Sequence, residues 1–73
     1  MNKQRREAIA KVLADIDAVK CQLEDIKSEE EEAKENTPEA FSEKHDAMDT
    51  AIDAMDNAIN NLDSAVSDLE GIE

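Results

Sequence analysis

Met48-Asp49-Thr50-Ala51-Ile52, Met55-Asp56-Asn57-Ala58-Ile59 and Leu62-Asp63-Ser64-Ala65-Val66 are one five-residue phrase written three times, each copy seven residues after the last. The large apolar residues therefore recur at alternating steps of four and three, the spacing that lines one stripe of an α-helix. In a heptad lettered a to g, Ile52, Ile59 and Val66 take a, and Met48, Met55, Leu62 and Leu69 take d. Phe41 continues the d series toward the N-terminus. A strand would alternate with period two, and nothing in this stretch does.

The first half repeats the pattern. Ile9, Ile16 and Leu23 fall at a, and Val12, Val19, Ile26 and Ala33 at d. Between the arrays lies Asn36-Thr37-Pro38-Glu39. Proline ends a helix and pushes the preceding residue out of the α region. Two helix starts are available after it. Thr37 can cap a helix with Pro38 in its first turn, or Ser42-Glu43 can open one four residues later. The expected organisation is one helical hairpin over residues 1–73: a helix over about 3–35, a turn near 36–41, and a second helix from 38 or 42 to about 71. A connection this short makes the helices antiparallel neighbours.

An antiparallel pair has a register that the numbers can test. Ile26–Met48, Val19–Met55 and Val12–Leu62 have position numbers adding to 74, and Leu23–Ile52, Ile16–Ile59 and Ile9–Val66 add to 75. Each apolar residue then finds an apolar partner. On one flank, position e faces e. Lys20, Lys27, Lys34 and Arg6 stand there on the first helix, and Asp49, Asp56, Asp63 and Glu70 on the second. This register predicts the pairs Lys27–Asp49, Lys20–Asp56 and Arg6–Glu70, which act more by fixing register than by adding stability.

The other flank is small and nearly uncharged. Position g holds Ala8, Asp15 and Gln22 on the first helix and Ala51, Ala58 and Ala65 on the second. Small residues let another helix approach closely. This seam is the expected self-association face, joined by Leu13, an apolar residue at e. The fold expected is all-α: an antiparallel two-helix coiled-coil hairpin that dimerises into a four-helix bundle. Size supports it, because a 73-residue chain buries little core alone and the single Cys21 allows no internal disulfide. Cys21 stands at the outer f position and reads as an incidental surface or interface thiol, in keeping with a reducing, cytoplasmic location.

Composition narrows the function classes. Twenty acids against eight bases give a net charge of −12, so neither nucleic acid nor an anionic membrane surface is an expected partner. No signal peptide or membrane span is read from the sequence. Residues 35–73 hold eleven acids and one base, whereas residues 1–34 hold nine acids and seven bases. The second helix thus carries most of the excess charge. Asp46, Asp49, Asp53, Asp56, Asp63 and Asp68 form the candidate acidic partner face.

Chemistry has few footholds. His45, the only histidine, falls at a, with Glu30 opposite in the register above. The pair reads as a polar layer near the turn and is too few ligands for a metal. The aspartates lack the loop spacing and glycine of a calcium hand. Glu29-Glu30-Glu31-Glu32 reads as a solvated helix end. There is no Ser-His-Asp set and no glycine-rich phosphate loop, so the chain is expected to be no enzyme and to need no cofactor or metal.

Asn2-Lys3-Gln4-Arg5-Arg6, the run Glu29-Glu30-Glu31-Glu32-Ala33 leading into Asn36-Thr37-Pro38-Glu39, Ser42-Glu43-Lys44, and the closing Ala51-Ile52-Asp53, Leu62-Asp63 and Leu69-Glu70 carry a resemblance along nearly the whole chain. They resemble a family of small acidic helical-hairpin proteins encoded in bacterial prophages and other mobile elements. The family pattern has a longer, glycine-containing stretch before the Ser-Glu element, where this chain has Phe41. The resemblance implies a phage-related origin in a bacterial host cytoplasm and assigns no functional residue.

Two functions are expected to compete. One is a protein-binding protein whose carboxylates occupy a basic host factor, such as a defence nuclease or another nucleic-acid-binding protein, thereby blocking it. The other is a structural or assembly module acting through self-association.

Overall fold

In the computed structural model, which describes residues 1–72, the chain is two long helices folded back on each other. Helix α1 spans Lys3–Glu35 and α2 spans Ser42–Glu70. The molecule measures 58 × 15 × 10 Å. The all-α hairpin expected from the two heptad arrays is the observed fold.

Each helix end has its own stop. Asn2 caps α1: its side-chain Oδ1 accepts from the Arg5 N–H at 2.8 Å, and its backbone carbonyl accepts from Arg6 N–H. This satisfies donors that the first turn leaves orphaned. At the far end, the Asn36 N–H donates to Glu32 O and the Thr37 N–H to Lys34 O. The Thr37 hydroxyl donates to Ala33 O at 2.8 Å. Lys34 stands in the last turn, where a cation suits the helix dipole.

Of the two possible starts for the second helix, Ser42 is the one used. Thr37 is unavailable as a cap because its hydroxyl closes α1. Pro38 instead opens a tight turn closed by the Phe41 N–H on Pro38 O at 3.0 Å, and the His45 N–H then donates to Phe41 O. Phe41 occupies the cap position with no side-chain hydrogen bond. Its exposed ring lies 5.2 Å beneath the Lys44 ammonium.

The register differs from the expected one by a whole heptad. The ion pairs across the hairpin are Lys20–Asp63 at 2.6 Å, Lys27–Asp56 at 2.5 Å, and Lys34–Asp49. Their position numbers all add to 83, where 76 was expected. Lys27–Asp49 and Lys20–Asp56 do not form, and residues 3–11 of α1 run beyond the level of Glu70, which leaves Arg6 without its intended partner. The cause lies in the repeat and in the turn. A seven-residue repeat offers apolar partners in either register. The turn chooses: past the end of α1 at Glu35, Thr37 lies against the first turns of α2, its carbonyl meeting His45 Nε2 at 2.8 Å and its hydroxyl 3.9 Å from Met48 Sδ. The reversal is therefore centred near Phe41, and Lys34 acquires Asp49.

The helices also meet on different faces from those expected. On α1 the half-buried residues are Ile9, Leu13, Ile16, Lys20, Leu23, Lys27, Glu30 and Lys34, at positions a and e. On α2 they include Ile52, Ile59, Val66, Met48, Met55, Leu62, Leu69 and the alanines Ala51, Ala58 and Ala65, at a, d and g. Helix α1 has rolled about its axis toward its lysines. Val12, Val19 and Ile26, expected in the core at d, are left 45%, 51% and 53% exposed. Among the described residues none is fully buried.

Candidate functional site: two unlike flanks of the hairpin

Helical geometry places e on one side of the a stripe and g with d on the other. The cross-hairpin ion pairs mark the e flank, so the exposed d residues of α1 and the g alanines of α2 share the opposite flank.

The e flank is electrostatic. Lys20 bridges to Asp63 and feels Glu24 and Asp17 from its own helix. Lys27 reaches Asp56 and, at 3.5 Å, Glu31. Lys34 bonds Asp49 and feels Asp53. These hydrogen bonds, chiefly those to the aspartates across the hairpin, push all three ammonium groups above the usual lysine value of 10.5. The lysine stems lie along the groove between helices while the acids stand outside them. The side chain of Lys27 is 28% exposed and that of Asp56 47%. Seven carboxylates (Asp17, Glu24, Glu31, Asp49, Asp53, Asp56 and Asp63) thus surround three lysines, and solvent meets the acids first.

The six aspartates expected to form one acidic face are divided by the structure. Asp49, Asp56 and Asp63 hold lysines, and Asp53 stands beside Lys34. Asp46 and Asp68 are exposed and belong to no ion pair among the described residues. Asp17, Glu24 and Glu31 on α1, which sequence reasoning left out, complete the flank. Their signal was available, since each stands three residues before or four after one of the lysines.

The g flank is apolar and quiet. Ala51, Ala58 and Ala65 are half-buried, while Ala8, Asp15 and Gln22 are exposed, with Asp15 bonded to Lys11 at 3.0 Å. Val12, Val19 and Ile26 add an apolar row that was missed because d was assigned to the core. Leu13 does not join this flank. It lies half-buried at e with the lysines.

Near the turn, His45 is half-buried and its Nε2–H donates to Thr37 O. Glu30, expected opposite it, stands a heptad away, at the level of Ile52. An open groove beside the turn is lined by Lys27, Lys34, Thr37, His45, Asp49 and Ile52. Every donor and acceptor named in it already has a partner within the chain or is bathed by solvent. Cys21 is exposed on the outer face of α1. Among the described residues no three histidine, cysteine or carboxylate side chains come together in a metal-binding group, and no helix is long and apolar enough to cross a membrane. Compared with known protein families, characterised proteins and solved structures, the chain matches none.

Proposed function

We propose that the chain is a non-enzymatic protein-binding module, of phage or mobile-element origin and acting in a bacterial cytoplasm, that receives a basic protein on its e flank. The observation that carries this reading is the disposition of charge there: three half-buried lysines ringed by seven carboxylates, a flank with a net charge of four negative. A row of carboxylates along a rod concentrates field in one strip and steers a cationic surface toward it. The natural target is a protein that itself grips phosphates, such as a nucleic-acid-binding host defence factor, whose basic groove this strip would occupy.

The test is capture from bacterial lysate at about 50 and about 500 mM salt, read by mass spectrometry. It uses the native protein and the neutralised triple variant Asp17→Asn, Glu24→Gln, Glu31→Gln. A basic nucleic-acid-binding protein held by the native chain at low salt, released at high salt and ignored by the variant supports the reading. Equal capture by both chains, or capture indifferent to salt, refutes it.

A second reading, a structural or assembly module, is favoured by the exposed row of Val12, Val19 and Ile26. It uses the other flank and is separable from the first.

A further inference from the structure

The hairpin has more surface than a chain of its mass should keep. Its accessible area is 5411 Å², whereas a folded monomer of its 8.1 kDa exposes about 4,500 Å². The excess is about 900 Å², close to the roughly 800 Å² that each partner contributes to a standard protein interface. Of the exposed large apolar residues, Met1, Phe41 and Ile72 belong to the termini and the turn, and the rest form one line. Val12, Val19 and Ile26 are large aliphatic residues about half exposed, spaced by seven along one line of α1. The half-buried Ala51, Ala58 and Ala65 of α2 lie alongside, small enough for a third helix to settle against them.

Charge along α1 selects the occupant and its direction. Residues 1–11 carry Lys3, Arg5, Arg6 and Lys11 against Glu7 alone. Residues 24–32 carry Glu24, Asp25, Glu29, Glu30, Glu31 and Glu32 against Lys27 alone. Because of the heptad shift, the basic end projects past α2, and neither Arg5 nor Arg6 has an ion-pair partner among the described residues. A second α1 laid parallel on the stripe would set acid on acid. Laid antiparallel, it sets the free basic end of each copy on the acidic end of the other.

We propose that the occupant of the Val12–Val19–Ile26 stripe is a second copy of this chain, docked α1 against α1 about a two-fold axis that passes beside Val19. Val19 meets Val19 of the other copy, Val12 meets Ile26, and Arg5 and Arg6 come level with Ala33 and Glu32. The contact is isologous, with the same patch used by both copies, and it closes a four-helix bundle. It relocates the expected alanine seam: the alanines line the groove and the α1 stripe fills it. It stands independently of the basic-partner reading, which uses the opposite flank.

The mass of the native chain in solution, by light scattering during size-exclusion chromatography at about 50 µM, is expected to be twice the 8.1 kDa of one chain. Val19→Glu sets two carboxylates face to face on the axis and is expected to give the single-chain mass. Cross-linking tests direction without disturbing the fold, in a Cys21→Ala background. Val19→Cys alone is expected to form a disulfide-linked dimer under mild oxidation. Val12→Cys alone is expected to remain unlinked, and Val12→Cys mixed with Ile26→Cys is expected to link. A single-chain mass for the native protein overturns the proposal. So does self-linking of Val12→Cys, which would mean a parallel pair, or failure of Val19→Cys to link.

Discussion

Lys27 Nζ lies 2.5 Å from Asp56 Oδ1 and 3.5 Å from Glu31 Oε1, so one ammonium ties α2 to α1 and braces its own helix. Asp49, a heptad earlier on α2, bonds Lys34 instead. The identity of the partner reports the register directly. A double-mutant cycle between Lys27 and Asp56 should therefore show favourable coupling in thermal unfolding followed by circular dichroism, and the cycle between Lys27 and Asp49 none beyond error. The charge exchange Lys27→Asp with Asp56→Lys should recover part of what either change loses. Coupling of Lys27 to Asp49 instead would place the helices a heptad away from the arrangement described.

Alkali should loosen the hairpin. The pKa values of Lys20, Lys27 and Lys34 are raised above 10.5 by their aspartate partners. A group whose folded-state value is raised contributes its full stability below the unfolded value and loses it as pH climbs through the folded value. The melting temperature should thus be insensitive to these lysines up to about pH 10 and fall above it. Replacing all three by arginine, which stays charged, should flatten the alkaline limb. A limb unchanged by that replacement would mean other groups govern it.

The turn can be probed at His45. Its Nε2–H bond to Thr37 O holds the two sides of the reversal together. His45→Ala should cost roughly 0.5–1.5 kcal/mol in urea unfolding, the net worth of one hydrogen bond. His45→Gln, which keeps a donor at similar reach, should recover part of it. A loss in His45→Gln as large as in His45→Ala would show that the ring's packing, not its donor, matters.

At the other end of α1, Asn2→Ala should act locally. The first turns of α1 stand beyond the end of α2, so their opening does not require the hairpin to open. Hydrogen exchange at the Arg5 amide, now bonded to Asn2 Oδ1, should accelerate several-fold, in line with the roughly 1 kcal/mol that such a cap is worth. Global melting should barely move. A large drop in melting temperature would mean that this end is held by more than its cap.

The hairpin was readable because Met48 to Val66 repeats in sevens and Pro38 breaks the chain once. The same regularity hid the register. A strict heptad repeat looks identical after a shift of seven, so the pattern alone offers Ile26 a methionine in either register, Met48 or Met55. The deciding contacts, Thr37 to Ala33 and His45 to Thr37, belong to the turn and carry no periodic signal. The roll of α1 was hidden for a related reason. Lys20, Lys27 and Lys34 count as charged in any hydropathy pattern, yet their four-carbon stems cover the groove as an aliphatic residue would. Leu13, the one apolar residue among them at e, was the available hint. Val12, Val19 and Ile26 therefore read as core and stand outside, which is also why the sequence points to the g seam of Ala8, Asp15, Gln22, Ala51, Ala58 and Ala65, with Leu13, as the self-association face. On the acidic side, the aspartates of α2 were found by their repeat, while Asp17, Glu24 and Glu31 joined them only once the lysines were located in space.

Unlike flanks also set how far such a molecule can grow. A rod with two sticky sides can add neighbours on both and extend into sheets or filaments without limit. In the dimer proposed above, the side bearing Val12, Val19 and Ile26 is the adhesive one, and the side bearing Asp49, Asp56 and Asp63 repels its own kind. Once the adhesive sides of two copies are joined, what is left outside is the carboxylate flank and the polar outer face of α2, with Asn57, Asn60, Asn61 and Ser64. Assembly by that route would be self-terminating, and concentrating the protein should fill that one state without leading on to aggregation.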